Sequence, residues 1–281
     1  MKLFTTKKSL SEEIKQLKEQ KLSIGFVPTM GALHEGHLSL VRCSKKQCDI
    51  TVVSIFVNPT QFNDKTDLEK YPRMPEKDIE LLEKEDVDFV FLPSVDEMYP
   101  EPDNRVFDFG NIDKVMEGKN RPGHFNGVAQ VVSKLFDIVM PDKAFFGRKD
   151  FQQVAVINAM VKQLNYNIQI VPCEIVREPS GLAMSSRNLR LSDNARKEAA
   201  FIYKTLQESK KTAETHSVDE LVQFVENKIN KHPLLKLEYF EIVDNSSLEK
   251  INNWNESEAV TGCIVVHIEG VRLIDNIQYK P

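Results

Sequence analysis

An apolar run, Ile24-Gly25-Phe26-Val27, leads directly into Pro28-Thr29-Met30-Gly31-Ala32-Leu33-His34-Glu35-Gly36-His37-Leu38, and this junction constrains the fold more than any other stretch. The run has the character of a buried strand, and residues 35–47 follow helical spacing, so the junction is a strand–turn–helix. Its turn carries two imidazoles three residues apart and small residues where a ligand can approach the backbone. A helix N-terminus behind such a turn favours an anion. The first reading is therefore a nucleotide-phosphate site.

The pattern repeats along the chain. Ser9 and Glu12 have capping-box spacing ahead of a short amphipathic helix containing Ile14 and Leu17. Residues 50–57 are apolar and β-branched almost throughout, as in a central parallel strand, and end at Asn58-Pro59-Thr60-Gln61-Phe62. Residues 64–73 read as a loop, Pro75 as the start of a helix with acids in its first turn, 87–92 as a third strand and 106–109 as a short fourth. The glycine-rich stretch 117–127 reads as a mobile loop containing Arg121 and His124, before a helix through Val128, Val131, Val132, Leu135, Phe136 and Val139. Strands at 144–146 and 168–172 flank a helix whose expected inner face is Val154, Ile157, Val161 and Leu164, with Asp150 as its cap. This alternation predicts a doubly wound, mostly parallel, Rossmann-like α/β sheet over residues 1–176. After a polar loop at 177–190, two helical stretches and three strand-like runs predict a smaller α+β domain over 177–281 that covers the active site. Ser217 and Glu220 have capping-box spacing at the second of those helices.

Composition narrows the function. A net charge of −5 argues against a general electrostatic hold on nucleic acid, and no run approaches membrane-spanning length. The start, Met1-Lys2-Leu3-Phe4-Thr5, has no apolar secretory core, and Cys43, Cys48, Cys173 and Cys263 lack metal or redox spacing, so a cytoplasmic protein with reduced thiols is expected. Neither GxxxxGK[ST] nor GxGxxG occurs.

Four constellations can carry chemistry. His34 and His37 can both donate to phosphate oxygens; bound zinc and ordinary histidines are the alternatives, although the spacing is one residue short of HExxH. Asn58 and Gln61 offer amide donors and acceptors beyond a strand's carboxyl end, suited to a small polar substrate, or they are merely turn residues. Gly147-Arg148-Lys149-Asp150-Phe151-Gln152-Gln153 places a lysine beside a glycine and a helix start, with capping as the plainer account of Asp150 and Gln153. Met184-Ser185-Ser186-Arg187-Asn188 brings hydroxyls and a guanidinium, a set that suits phosphate but also occurs in solvated loops.

These blocks, with Arg121-Pro122-Gly123-His124-Phe125 and Gly181-Leu182-Ala183, resemble the pantothenate synthetase family, part of the nucleotidyltransferase superfamily with a HIGH-type turn. They occur in that family's order from about residue 28 to residue 188. The resemblance implies ATP-dependent condensation of pantoate with β-alanine through pantoyl adenylate, releasing AMP and pyrophosphate. By matching position it implies that Met30, Gly31, Ala32, Leu33, His34, Glu35, Gly36 and His37 form the adenosine and phosphate turn. It also assigns Gly147, Arg148, Lys149, Asp150, Val176, Met184, Ser185, Ser186 and Arg187 to ATP. His37, His34, Lys149 and Arg187 would be the catalytic donors. Gln61, Gln153 and Asn58 would hold pantoate, Gln61 would also serve β-alanine, and Arg121 and His124 would be contacts from a lid. Magnesium would ride mainly on ATP, with Asp78 as a possible helper, and a homodimer is implied. One departure is Ser180, where the family commonly has Asp before Gly-Leu-Ala. A related enzyme adenylating a different acid, and a nucleotide-binding regulator without turnover, are the rival readings.

Overall fold

The computed structural model describes residues 1–280. In chain order the elements are β1 (Lys2–Phe4), α1 (Lys7–Glu19), β2 (Ile24–Thr29), α2 (Glu35–Lys45), β3 (Ile50–Ile55), α3 (Lys65–Glu69), α4 (Pro75–Lys84) and β4 (Phe89–Phe91). There follow α5 (Val95–Met98), α6 (Met116–Asn120), α7 (His124–Val139), β5 (Lys143–Gly147), α8 (Phe151–Gln163) and β6 (Gln169–Cys173). The last are α9 (Asp193–Thr212), α10 (Val218–Asn230), β7 (Lys236–Asp244), β8 (Val260–Ile268) and β9 (Val271–Lys280). Two compact units result.

The first unit comprises Met1–Phe109, Arg121–Arg148 and Gln153–Glu174. Its six strands are all parallel, in the order β1-β4-β3-β2-β5-β6. The chain winds from β2 outward through β3 to β4, then returns to lay β5 and β6 on the other side of β2. β2 and β5 pair only at Gly25–Lys143 and Phe26–Ala144, after which β2 runs on to Thr29 and β5 to Gly147 without pairing. That unpaired fork is the topological switch point, where open α/β sheets bind ligands. One face of the sheet buries Val27, Val53, Val90 and Phe145 against Leu38 and Val41 of α2 and Leu82 of α4. On the other, Phe26 meets Phe136 of α7 edge-on at 6.3 Å. Each such large apolar side chain contributes about 1.5–3 kcal/mol on burial.

The second unit comprises Gly110–Asn120, Lys149–Gln152 and the chain from Ile175 on. Its antiparallel sheet, β7-β8-β9, packs with Leu206 of α9 and Leu221 and Val225 of α10 around Phe240, Ile264 and Val266. The segment 110–120 is tied in by Gln152, whose amide donates to the carbonyls of Ile112 (2.7 Å) and Val115 (2.9 Å) and accepts from the amide of Glu117 (2.9 Å). The Glu117 carboxylate in turn accepts from Arg272 Nη1 at 2.6 Å and from the Tyr239 hydroxyl at 2.8 Å. The expected box at Ser217 and Glu220 is present in both directions.

Several local expectations are corrected. Thr6, not Ser9, caps α1, accepting the Ser9 amide at 3.3 Å, so the helix begins three residues earlier than the Ser9–Glu12 spacing implies. β1 escapes the sequence reading because three residues carry no measurable period, yet it pairs with β4 in register. Residues 64–73 contain α3, capped by Asp64, which accepts the Thr66 amide at 2.8 Å. Residues 106–109 form no strand: Phe107 and Phe109 are buried and stack 5.8 Å apart, but the Phe107 amide bonds to the side chain of Asn126 rather than to a strand. The expected mobile loop 117–127 is mostly α6 and the start of α7, which Gly123 opens in a left-handed conformation (φ 80°). The buried stripe of α8 runs through Gln152, Val156, Ile157, Met160 and Val161, leaving Leu164 exposed, because the helix starts at Phe151 and its phase differs from the expected one.

Candidate active site

At the end of β2 the chain turns through two consecutive left-handed residues, Gly31 (φ 78°) and Ala32 (φ 49°). This aims the amides of Ala32 and Leu33 at one carboxylate, that of Asp78 in α4, at 2.8 and 2.7 Å. Thr29 closes the near side, accepting from the Gly31 amide at 3.1 Å and donating to the Ser54 carbonyl at 2.8 Å. A β-carbon on Gly31 would stand 2.9 Å from the Asp78 oxygen, so the close approach as well as the positive φ requires glycine. Burial pushes the Asp78 carboxyl above its ordinary range, and the two backbone amides offset part of that rise. Asp78 is thus the anchor of the turn. The side chain, expected as a possible helper to magnesium, is buried, with each oxygen accepting one backbone amide.

The imidazoles cap α2. His34 Nδ1 accepts the Gly36 amide at 3.1 Å, and His37 Nδ1 accepts the His34 amide at 3.3 Å. The rings lie 4.1 Å apart between centroids. An imidazole nitrogen that accepts from a backbone N–H carries no proton, so in each neutral ring the proton resides on Nε2. Both rings are therefore N–H donors at their outer ends. The structure has no cluster of three or more His, Cys, Asp or Glu able to hold a metal ion among the described residues. Ala32 and Leu33 are buried and offer only backbone, and the Glu35 carboxylate is engaged by Arg42 on the same helix.

Beyond β3, Asn58 is 1 % exposed and fully occupied. Its oxygen accepts from the Tyr99 hydroxyl (2.8 Å) and Thr60 Oγ1 (3.1 Å); its nitrogen donates to the Gly127 carbonyl (3.2 Å) and to Gln61 Oε1 (3.1 Å). Asn58, expected to hold pantoate, thus uses its amide within the protein on Tyr99, Thr60, Gly127 and Gln61. Gln61 is half-buried, and its Nε2 lies 3.3 Å from Met30 Sδ. His124, expected on a lid, is buried at the start of α7, with Nδ1 bonded to the Gln61 carbonyl at 2.8 Å and Nε2 bonded to Arg121 Nη1 at 3.1 Å. Helix α7 comes so close here that a β-carbon on Gly127 would lie 2.5 Å from the Thr60 carbonyl oxygen. Gly147 ends β5 with open space where its β-carbon would be, and Gln153 is half-buried in the first turn of α8. The structure thus joins Met30, Gln61, Asn58, Arg121 and His124 into one bonded group in the first unit. Arg148 pairs with Glu174 at 3.0 Å.

In the second unit, Lys149 Nζ lies 3.4 Å from the Met184 carbonyl, and the Lys149 carbonyl accepts from Asn276 at 3.0 Å. Residues 177–188 fold on themselves: the Met184 amide donates to Val176, Arg177 bridges Ala183, and Asn188 donates to Glu178 (2.9 Å) and to the Ala183 carbonyl (3.1 Å). Arg177 grips Asp275 with two bonds of 2.6 and 2.9 Å and lies 3.4 Å over the Tyr203 ring. Ser185 Oγ accepts the Arg187 amide at 3.3 Å, setting the short helical turn Ser186–Arg190. Ser180 Oγ accepts the Leu182 amide at 3.4 Å, the turn that an aspartate oxygen would make there. Asp78 as anchor and Tyr99 beside Asn58 escape the sequence reading; Asp78 stands four residues before buried Leu82, and that spacing is the signal for an inward-facing acid.

The family model of the pantoate–β-alanine ligases matches residues 2–278. A pantothenate synthetase of Bacteroides fragilis is 56% identical over 280 residues, covering 100% of this chain and 99% of the relative, and one of Porphyromonas gingivalis is 53% identical over 100% of both. Among solved structures, pantothenate synthetase from Thermus thermophilus superposes with a TM-score of 0.94 at 38% identity over 100% of both chains. The pantoate–β-alanine ligase of Francisella tularensis, complexed with β,γ ATP and β-alanine, superposes with a TM-score of 0.83 at 37% identity over 99% of this chain and 98% of that one.

Proposed function

The chain belongs to the pantoate–β-alanine ligase family, whose reaction is ATP-dependent ligation of pantoate with β-alanine, and we propose that His34 and His37 are its phosphate donors at the β2 turn. A pantoate carboxylate oxygen attacks the α-phosphorus of ATP and pyrophosphate leaves with the P–O electron pair. The β-alanine amine then attacks the acyl carbon of pantoyl adenylate and AMP leaves, yielding pantothenate. No covalent enzyme nucleophile enters either step. Alignment of the reacting groups is worth up to about 7–11 kcal/mol. The N-terminus of α2 contributes only about 0.3–2 kcal/mol toward an anion. Directed donors must therefore supply more than the helix does.

The observation supporting this reading is that the two rings stand 4.1 Å apart at the N-terminus of α2, each oriented by an Nδ1 that accepts a backbone amide. In this proposal they stabilise charge on the phosphate oxygens, together with the side chains of Lys149 and Arg187. Gly31, Gly36 and Gly147 let the nucleotide approach the backbone, and Met30, Ala32, Leu33, Glu35, Arg148, Asp150, Val176, Met184, Ser185 and Ser186 complete the ATP contacts. Gln61 and Gln153 hold pantoate, Gln61 also serves β-alanine, and Asn58 and His124 fix Gln61 from behind. Magnesium accompanies ATP, held by phosphate oxygens and water, since no protein carboxylate set is built for it among the described residues. A cytoplasmic homodimer completes the proposal; it accords with the absence of a helix long and apolar enough to cross a membrane among the described residues, and sedimentation tests the dimer.

The test is His37→Ala in single-turnover adenylation with ATP and pantoate. The rate falls about 10²–10³-fold, the range for losing one donor to a developing oxyanion. Near-wild-type adenylation would remove His37 from this role. Pyrophosphate exchange into ATP without pantoate would point instead to a different acid substrate.

A further inference from the structure

Resting on that reading of Gln61, we propose that Tyr99 is a positioning residue for the acid substrate, bracing Asn58 in the flip that two backbone groups dictate and so holding the Gln61 amide with its nitrogen toward the ligand. A primary amide has two flips that differ only in exchanging donor and acceptor. At Asn58 the choice is forced by two partners that cannot change role. The Thr60 amide, 3.4 Å from one end, can only donate, so that end is Oδ1. The Gly127 carbonyl, 3.2 Å from the other, can only accept, so that end is Nδ2. The Tyr99 hydroxyl makes the shortest of the bonds converging on Oδ1, at 2.8 Å. Burial raises the Tyr99 phenol above its ordinary value, so it keeps its proton and stays a donor.

The forced flip passes to the next amide. Nδ2 of Asn58 donates to Gln61 at 3.1 Å, so the Gln61 end facing it is Oε1. The other end, Nε2, then lies 3.3 Å from Met30 Sδ, a weak acceptor that satisfies one of its two protons. The backbone of Gln61 cannot swing to undo this, because its carbonyl is held by His124 and its Cα would lie 2.9 Å from a β-carbon on Gly127. Gln61 therefore presents an N–H to the substrate, and the site reads an acceptor oxygen on the acid. Tyr99 itself sits beyond this chain of bonds, at the end of α5, with its ring 6.2 Å from that of Phe56 and the Lys134 ammonium 5.3 Å from its centroid.

The experiment is a double-substitution cycle read as kcat/KM for pantoate, with the KM for ATP measured beside it. Tyr99→Phe removes one oxygen and lowers kcat/KM for pantoate about 5-fold, the loss of one ordinary hydrogen bond, while the KM for ATP stays put. In a Gln61→Ala background the same substitution changes kcat/KM for pantoate by less than about 2-fold, because the path it acts through is gone. An equal loss in both backgrounds, or an equal effect on ATP and pantoate, overturns the proposal. Thr60→Val, which strips the other hydroxyl from Asn58 Oδ1 and from beside Tyr99, gives the same selective pattern and decides the matter should Tyr99→Phe fold poorly. Failure of the wild-type protein to release AMP with pantoate and β-alanine would instead refute the assigned reaction, a result separate from any behaviour of Tyr99.

Discussion

Asp78 and Asp275 are both buried carboxylates behind a loop assigned to the nucleotide, and they are satisfied in opposite ways. Asp78, in the first unit, accepts two neutral backbone amides and has no cation bonded to it among the described residues. Asp275, in the second, is clamped by both terminal nitrogens of Arg177 and accepts the Asn276 amide at 2.8 Å. Burial raises both carboxyl groups above the ordinary range; only at Asp275 does a guanidinium pull back. The difference teaches where conformation is stored. At the β2 turn it is stored in the backbone, since the amides that the acid holds follow from two left-handed residues. In residues 177–188 side chains join the backbone bonds in holding it, since Arg177 grips Asp275 and also donates to the Gly181 carbonyl at 3.2 Å.

The larger loss of stability belongs to Asp275. Asp275→Ala strands a guanidinium that is only 16% exposed, and urea unfolding should register a loss of about 3–5 kcal/mol. Asp78→Ala strands no charge, only two buried amides, and the same measurement should give about 3 kcal/mol. The order inverts for catalysis: releasing the turn displaces the imidazoles, and AMP formation should drop about 100-fold, as a displacement of about 1 Å can cause. A variant that lost stability but kept its rate would show that the turn holds its shape unaided.

A smaller effect sharpens the electrostatic half. Because the folded protein holds the Asp78 proton more tightly than the unfolded chain, it binds more protons than the unfolded chain does between the ordinary carboxyl value of 3.8 and the raised one. Stability should thus rise as pH falls through the raised value and level off below 3.8, and be lost again on the way up. Subtracting the urea midpoints of Asp78→Asn across this range isolates that slope; a slope of opposite sign would mean the backbone amides outweigh burial. The smallest effect belongs to Ser180→Asp, which introduces the residue that the family resemblance leads one to expect there. Since Ser180 Oγ already accepts the Leu182 amide, stability should move by no more than about 0.5 kcal/mol and the KM for ATP should be unchanged.

What was legible in the chain follows from how locally each feature is encoded. The β2–turn–α2 junction, the parallel sheet and the antiparallel end were readable because unbroken apolar runs and helical stripes announce them residue by residue. Asp78 was not, since an acid in a helix's first turn ordinarily faces solvent with the helix dipole; only its four-residue offset from Leu82 says otherwise. Residues 106–109 alternate as a strand would, with Val106 exposed and Phe107 buried, but the partner of the Phe107 amide is Asn126, on a helix nineteen residues on. Glycines at 118, 123 and 127 suggested mobility; two of them instead permit close contacts, Gly118 with the Asp113 carbonyl and Gly127 with Thr60. The histidine pair was readable as lying at the start of α2, whereas which ring nitrogen faces the backbone needed the bonds to the Gly36 and His34 amides.

Gly127 has one further consequence. The backbone of Thr60 and Gln61, the segment proposed to hold pantoate, rests on a helix that approaches to the limit a missing methyl group allows. On that proposal the position of Gln61 is set from behind, by Gly127 on α7. A chain drifting toward a longer or bulkier acid need not rebuild the segment; adding or shedding bulk along this seam of α7 would shift Gln61 by tenths of an ångström. Selection for altered substrate size should accordingly return substitutions on α7 as readily as in the pocket itself.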